Sequence, residues 1–418
     1  MSNYRVMDLF SGAGGLTFGF YYNLVEGKFV KRDDVEFVFA NEYNPAAAAA
    51  FRENYPNINM IEGDIREELS DKVLDEYLKN GEVDVIIGGP PCQSFSTVGQ
   101  RKYDERAKLS NEYLRVLKKV RPKMFLFENV KGILSMREIF YEEDENGNPV
   151  YEDVERHRGD KKFIRKEPKK IGTGELVIKK LEEEFKNIGY TIKYTTKCAV
   201  EFGVPQIRER VFIIGIRNDL EKEWVFPEGN GEILTIKDAI DDLPECGEEQ
   251  HIKTYDKEPI TDYQKLMRRD CRETAQHLYC QDLTQHFCGV YGDKIRTVIK
   301  YVQQGQGKDD FNALVDDKVV DEKYRLTSGF PNTYGRLEEN KPCMTITNNL
   351  ATPSGLRCIH YKQNRALTPR EGARIQSFPD WFEFKGNRTE VSRQVGNAVP
   401  PLMAIAFANR IIETLNNI

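Results

Sequence analysis

Seven short apolar runs separated by helical stretches punctuate the first half of this chain, and that alternation limits its fold more than any other feature. Residues 4–10, 36–41, 59–62, 84–87, 124–127, 191–196 and 211–216 read as strands. Val85-Ile86-Ile87 and Phe125-Leu126-Phe127 are continuously apolar, as strands covered on both faces must be. Strands alternating with crossover helices give a parallel sheet, so the expected class is α/β with a doubly wound, mostly parallel sheet. Pro45 followed by five alanines marks a helix start. After Arg217 the alternation stops, and the text up to residue 341 is polar and rich in turns, as in Gln303-Gln304-Gly305-Gln306-Gly307. The expected division is a first domain of residues 1–217 completed by 390–418, and a smaller irregular domain of 218–389 with a variable core at 218–345.

Composition removes several classes of function. No apolar run approaches the ~20 residues of a membrane-spanning helix, and the start Met1-Ser2-Asn3-Tyr4-Arg5-Val6 lacks the layout of a signal peptide. Eight cysteines scattered over 418 residues do not make a disulfide framework, so reduced thiols and a cytoplasmic location are expected. Lys+Arg 61 against Asp+Glu 67 gives a net charge of −6, which by itself argues mildly against a nucleic-acid partner. The charge is segregated, however. Residues 138–155 carry only acidic charges, whereas 156–170 are mostly Lys and Arg. Such a block pair is expected to be a solvated, partly disordered insertion, with phosphate contact by its basic half as the alternative.

The chemistry-bearing residues fall at strand ends. The first strand enters Asp8-Leu9-Phe10-Ser11-Gly12-Ala13-Gly14-Gly15-Leu16, where glycines let the backbone turn and approach a ligand at a helix start. This is not the G-x-G-x-x-G spacing of dinucleotide folds, and a turn without a ligand would look the same. Glu42 and Asp64 end the next two strands. Together with the glycine turn they suit a nucleoside, Glu42 accepting from ribose hydroxyls and Asp64 from an adenine amino group, although each could equally be a helix cap. The fourth strand leads into Gly89-Pro90-Pro91-Cys92-Gln93-Ser94-Phe95-Ser96 and the fifth into Glu128-Asn129-Val130, so a thiol and a carboxylate share one edge of the sheet. Arg208 and Arg210, two apart, lie on one side of an extended segment and could hold a phosphate, a base carbonyl, or nothing.

In this order the segments resemble the DNA cytosine-5 methyltransferase family, and Arg365-Ala366-Leu367-Thr368-Pro369-Arg370-Glu371 and Gln394-Val395-Gly396-Asn397-Ala398-Val399-Pro400-Pro401 are similar to its last two blocks. The resemblance spans nearly the whole chain apart from the insertion near 138–172 and the variable region. Two departures stand out: residues 107–110 lack the family's usual glycine, and Cys198 replaces a common asparagine. The resemblance implies the S-adenosylmethionine-dependent methyltransferase fold, with Phe10, Gly12, Gly14, Leu16, Glu42, Asp64, Ile65, Pro90, Asn397 and Val399 contacting that donor. No metal is expected.

The implied substrate is a flipped-out cytosine in double-stranded DNA. Cys92 would add to C6 as a thiolate, Glu128 would hold the base and protonate N3, Arg210 would bond O2, and Arg208 would position the ring or a backbone phosphate. Removal of the C5 proton needs a base that the sequence does not single out. Residues 94–106 would close over the target. The setting implied is a restriction-modification system, with a cognate endonuclease that shares the site without having to bind the enzyme, which is expected to be a monomer. A tRNA cytosine-5 methyltransferase of the same fold is the alternative, disfavoured by the large variable region. In that region Arg325, Thr327, Ser328, Asn332, Tyr334 and Arg336 are candidate base or phosphate contacts. His277, Cys280, His286 and Cys288 carry zinc-type side chains at a spacing that fits no common zinc pair.

Overall fold

A computed structural model describes residues 3–90, 109–142, 144–145, 150–158 and 161–418. Its centre is a seven-stranded sheet built from β1 (Tyr4–Leu9), β2 (Val35–Glu42), β3 (Met60–Glu62), β4 (Val85–Gly88), β5 (Met124–Val130), and two later strands of the same sheet, Tyr190–Cys198 and Glu209–Arg217. Between β5 and those two, the strands Arg137–Tyr141 (β6), Tyr151–Arg158 (β7), Lys161–Pro168 (β8) and Lys170–Leu176 (β9) lie outside the sheet, so the last two sheet strands are β10 and β11. The spatial order is β10-β11-β5-β4-β1-β2-β3. All neighbours pair in parallel except that β11 runs antiparallel to both β10 and β5. Each of the seven expected strands is present, with ends shifted by three residues at most.

Period-2 alternation divides the sheet's side chains between two cores. Val6, Val85, Ile87, Leu126 and Ile214 point to the face covered by α1 (Gly15–Tyr21) and α2 (Pro45–Asn54). Met7, Ile86, Phe125, Phe127 and Ile213 point to the opposite face, covered by α3 (Ile65–Glu68), α4 (Asp71–Leu78), α5 (Leu109–Val120) and α6 (Val177–Asn187). The helix after Pro45 is capped by the Asn44 side chain, which accepts from the Ala47 N–H. The first face is completed from the far end of the chain, where α7 (Pro369–Ile375), α8 (Arg388–Asn397) and α9 (Pro401–Asn416) follow one another. Helix α9 crosses α1 so closely that a Cβ at Gly19 would overlap the carbonyl group of Ala404.

The sheet-side core continues without a break into residues 236–391 through Ile236, Tyr263, Met267, Leu283 and Phe378. Two smaller clusters lie beyond it, one on Val298, Val302, Phe311 and Val315, the other on Cys246, Cys288, Tyr291 and Ile359. No single helix among the described residues is long and apolar enough to cross a membrane.

The described residues of the charged insertion, expected to be solvated and partly disordered, form two antiparallel ribbons. β6 pairs with β9, and β7 pairs with β8 over eight residues in an antiparallel ladder. Backbone bonds from Glu142 to Lys169 O and from Val150 to Glu142 O join the two ribbons end to end. Opposite charges meet across the ribbons and at α6: Arg156 pairs with Glu167 at 2.5 Å, Lys162 with Glu155, Lys169 with Glu142, and Lys180 with Glu138 at 2.6 Å.

Candidate active site

The carboxyl ends of β1, β2, β4 and β5 form one edge of the sheet, where open α/β folds place ligands. β1 ends in a turn whose backbone is left-handed at Phe10 (φ 58°), Gly12 (φ 58°) and Gly14 (φ 94°). A Cβ at Gly14 would collide with the Tyr55 ring, and the Tyr55 hydroxyl donates to Gly14 O at 2.7 Å. Gly14 is therefore fixed both by its backbone conformation and by its neighbour. Gly12 differs. A Cβ there would meet no atom within 4 Å, so open space lies over the turn at that point.

Glu42 ties this turn to β2. Its Oε2 accepts from the Gly12 N–H at 2.8 Å and its Oε1 from the Asn44 N–H at 2.7 Å. Burial raises its pKa, and these N–H groups partly offset the rise. Beneath the turn Asp8 is fully enclosed, with Oδ2 accepting from Thr17 Oγ1 and Oδ1 without a partner. Burial lifts its pKa to about 8. Asp64 caps α3, accepting from the Arg66 N–H and pairing with the Arg66 guanidinium at 2.7 Å, which lowers its pKa. Its cap role is thus the one seen, with Ile65 buried just behind it. Leu16 and Pro90 are also buried along this edge. From the C-terminal side, Val399 O lies 2.6 Å from where a Gly15 Cβ would sit, which brings Val399 against the start of α1, while Asn397 is exposed. Tyr43, passed over in the sequence, follows Glu42 and is 71% exposed. An aromatic directly after a strand-terminal acid was the available signal.

Cys92 and residues 94–106 lie outside the described residues. Glu128 is buried within β5 next to Gly89, where a Cβ would sit 2.8 Å from Glu128 Oε2. Arg210, opposite Val130 on β11, brings Nε to 3.0 Å from Glu128 Oε1. Burial pushes the Glu128 pKa up, and Arg210 and then Arg208 pull it partly back. Asn129 donates to Pro90 O at 3.3 Å, which joins the end of β5 to the segment after β4.

Arg208 departs from the expectation that it would position the ring or a phosphate. Its side chain is fully buried, and it donates from Nη1 to Ile346 O at 3.0 Å and from Nη2 to Gly396 O at 2.8 Å. A guanidinium so enclosed cannot face a phosphate. It ties two C-terminal segments to the strand that carries Arg210.

The variable region brings a similar correction. Arg336 is buried and donates to the carbonyls of Ile299, Val302, His360 and Gln363, so it holds loops together rather than reaching a base. Arg325 pairs with Asp316 and Glu322. Of the zinc-type side chains, His286 is buried between Pro244 O at 2.8 Å and Thr368 Oγ1 at 2.9 Å, leaving neither ring nitrogen for a metal. Among the described residues, no three His, Cys, Asp or Glu side chains gather as a metal set. Two buried ion-pair groups anchor α7 instead: Arg374 between Asp242 and Asp380, and Arg365 on Glu371.

The sequence model of the C-5 cytosine-specific DNA methylase family matches residues 4–144 and 169–413. The type II methyltransferase M.DdeI of Desulfomicrobium norvegicum is 32% identical over 437 residues, covering 99% of this chain and 90% of that protein. M.PspPI of Psychrobacter sp. is 31% identical, with 99% and 80% covered. Two solved structures share the fold. A DNA modification methyltransferase encoded within an E. coli prophage has a TM-score of 0.68 at 23% identity over 99% of this chain and 100% of its own, and the S. pombe Dnmt2 methyltransferase has 0.54 at 16% over the same shares.

Proposed function

Because the chain belongs to the family of C-5 cytosine-specific DNA methylases, we propose that its DNA cytosine methyltransferase activity is carried by Cys92, Glu128 and Arg210 at the carboxyl edge of the sheet. The supporting observation is the buried Glu128–Arg210 pair, packed against Gly89 three residues before Cys92 in the chain and beside an open glycine turn.

Cytosine C5 is a poor nucleophile until its ring loses aromaticity. Addition of the Cys92 thiolate at C6 does this, and the negative charge that moves toward N3 and O2 must be met as it develops. Glu128, its pKa raised by burial, holds the proton that N3 takes. Arg210 supplies a fixed cation at the same place, and its guanidinium donates to O2. Arg208 acts through Arg210 and the C-terminal segments as a positioning residue. The target base must leave the duplex to reach this edge, at a cost of about a few kcal/mol. Once C5 has taken the methyl group, a base removes the C5 proton, and that electron pair re-forms the C5–C6 double bond as Cys92 leaves C6 as the thiolate.

The residues at the turn fit the family's methyl donor: a carboxylate at Glu42 suited to hydroxyl groups, and open space over Gly12. When bound there, S-adenosylmethionine supplies an electrophilic sulfonium methyl group. Phe10, Gly12, Gly14 and Leu16 would line it from the turn, Glu42, Asp64 and Ile65 from the next two strand ends, and Pro90, Asn397 and Val399 from the closing side. Tyr43 offers a ring face to a base. Residues 218–389, with their variable core at 218–345, would choose the sequence, since the other segments meet features common to every cytosine target.

The relatives' designation as type II methyltransferases supports a role in a restriction-modification system; the wider reading is a cytoplasmic monomer whose cognate endonuclease shares its site without having to bind it. Bisulfite sequencing of a host genome expressing the protein tests the proposal. Modified cytosines should appear in one short sequence context, and should vanish when Cys92 is replaced by Ala. Modification confined to tRNA would overturn it.

A further inference from the structure

Arg208 is a buried charge that the methyl-transfer chemistry does not use. Its side chain is fully enclosed and its Nε has no hydrogen-bond partner, an arrangement that costs stability. What it holds is a short stretch from the C-terminal half of the chain. Gln206 and Ile207 pair in parallel with Cys343 and Met344, Thr345 Oγ1 donates to Ile207 O at 2.8 Å, and the Ile346 N–H donates to Gln206 Oε1 at 2.9 Å. The Arg208 bonds to Ile346 O and Gly396 O carry this contact past the paired residues. Arg210 stands three residues beyond Ile207, and three residues beyond the opposing Met344 a turn begins at Thr347.

The backbone of that turn is held from several sides. The Leu350 N–H donates to Thr347 O at 3.1 Å and the Asn349 N–H to Thr347 Oγ1 at 3.4 Å. A Cβ at Gly396 would lie 2.5 Å from the Thr347 carbonyl carbon, so α8 packs directly on the turn, and Leu350 is buried against Gly372 of α7. The side chains of Asn348 and Asn349 are the exceptions. Both residues are exposed, and neither carboxamide has a hydrogen-bond partner among the described residues. Asparagine suits turns because it bonds the local backbone or tolerates the left-handed region. Here Thr347 makes the local bond, and neither Asn348 nor Asn349 is left-handed, so the turn itself needs no asparagine. Two adjacent free carboxamides are thus fixed on the segment that Arg208 ties to the Arg210 strand.

We infer that Asn348 and Asn349 read an adenine in a base pair flanking the flipped cytosine. The inference rests on the proposed site holding that cytosine at Glu128 and Arg210, and goes beyond it by naming what lies next to the target and which side chains detect it. A carboxamide presents a donor and an acceptor side by side, and adenine is the base whose major-groove edge offers the matching acceptor and donor, N7 and the N6 amino group. The pairs next to the target are the ones in reach, because the turn and Arg210 are anchored to the same segment and successive base pairs are only about 3.4 Å apart. These two residues lie outside the variable core of 218–345, which keeps the other positions of the site.

The test starts from the site mapped by bisulfite sequencing, which should hold an A·T pair within about two positions of the modified cytosine. The full chain is given three duplexes with the same target cytosine: the mapped site, the site with 7-deazaadenine in place of that adenine, which removes the N7 acceptor, and the site with G·C in place of the A·T pair. Wild-type kcat/KM should fall roughly tenfold on the second and third. A chain carrying Asn348→Ala and Asn349→Ala together should treat the three duplexes alike. The 7-deazaadenine duplex reads the contact in the wild type, independently of how the variant folds. A mapped site without such an A·T pair would overturn the inference, as would a wild type indifferent to 7-deazaadenine or a double variant that keeps the wild-type preference. Failure of the chemistry at Cys92 would instead abolish transfer on every duplex alike, which keeps the two readings apart.

Discussion

Arg210 Nε lies 3.0 Å from Glu128 Oε1, and both side chains are almost wholly withdrawn from solvent. Each of these groups limits the other. The guanidinium holds the carboxyl in one orientation and keeps its pKa from rising as far as burial alone would take it. Removing Arg210 should therefore change the protonation of Glu128 as well as its position.

The chemistry assigned to Cys92 predicts that Cys92→Ala loses methyl transfer to background while duplex binding persists, because binding draws on phosphate contacts elsewhere. Tritium transfer from labelled donor measures the first and a gel shift the second. DNA carrying 5-fluorocytosine at the target should also give a donor-dependent covalent complex with the wild type, since fluorine does not leave as a proton. A variant that still methylates would remove Cys92 as nucleophile.

Glu128→Gln retains the shape and a hydrogen bond but has no proton to give N3. Single-turnover transfer should slow by about 10²–10⁴, with donor affinity little changed. In Arg210→Gln the main influence lowering the Glu128 pKa is gone, so the alkaline limb of the pH–rate profile should move to higher pH as the overall rate falls. Coincident limbs in Arg210→Gln and the wild type would show that Glu128 is not the titrating acid.

Arg208→Met should separate stability from chemistry. It removes two charge-assisted bonds, to Ile346 O and Gly396 O, and should lower unfolding free energy by about 2–5 kcal/mol in a denaturant titration. At low temperature the folded fraction should still bind duplex DNA. Wild-type stability in this variant would contradict the clamp.

Asp8 gives a pH signature for the fold. Its native pKa of about 8 is above the ordinary carboxyl value of 3.8 that it regains on unfolding, so folding takes up a proton in between. The stability this group contributes is complete below the unfolded value and declines as pH rises toward 8, by about 1.4 kcal/mol per unit. Asp8→Asn keeps an oxygen for the Thr17 hydroxyl and should flatten that decline between pH 5 and 8. Parallel stability curves for the two proteins would show that Asp8 stays ionised.

Exchange of residues 218–345 for the matching region of a relative that marks another site should transfer the new sequence choice with Cys92 chemistry intact. A folded, active chimaera that still marks the original site would place discrimination elsewhere.

The strands were legible because runs such as Val85-Ile86-Ile87 must be covered on both sides, and few folds do that. Glu42 and Glu128 were legible because each ends or nearly ends such a run. The ribbon was not, since its two faces carry charge and scattered aromatics in place of an apolar period, and its acids and bases find each other only once the strands are paired. Arg208 and Arg336 misled for another reason. Their partners are backbone carbonyls, up to 188 residues away in the case of Arg208, and a carbonyl leaves no trace in a sequence.

The close crossing of α1 and α9 at Gly19 and Ala404 also sets a condition on synthesis. Helix α1 leaves the ribosome about 380 residues before α9, so Phe18 and Phe20 lack that cover for roughly 20–80 s at ~5–20 residues per second. A nascent or prematurely terminated chain therefore cannot finish the core beneath the glycine turn. Ribosome-bound chains stalled before and after residues 401–416 should differ sharply in protease resistance near α1. Only a molecule translated through α9 would be competent to mark DNA.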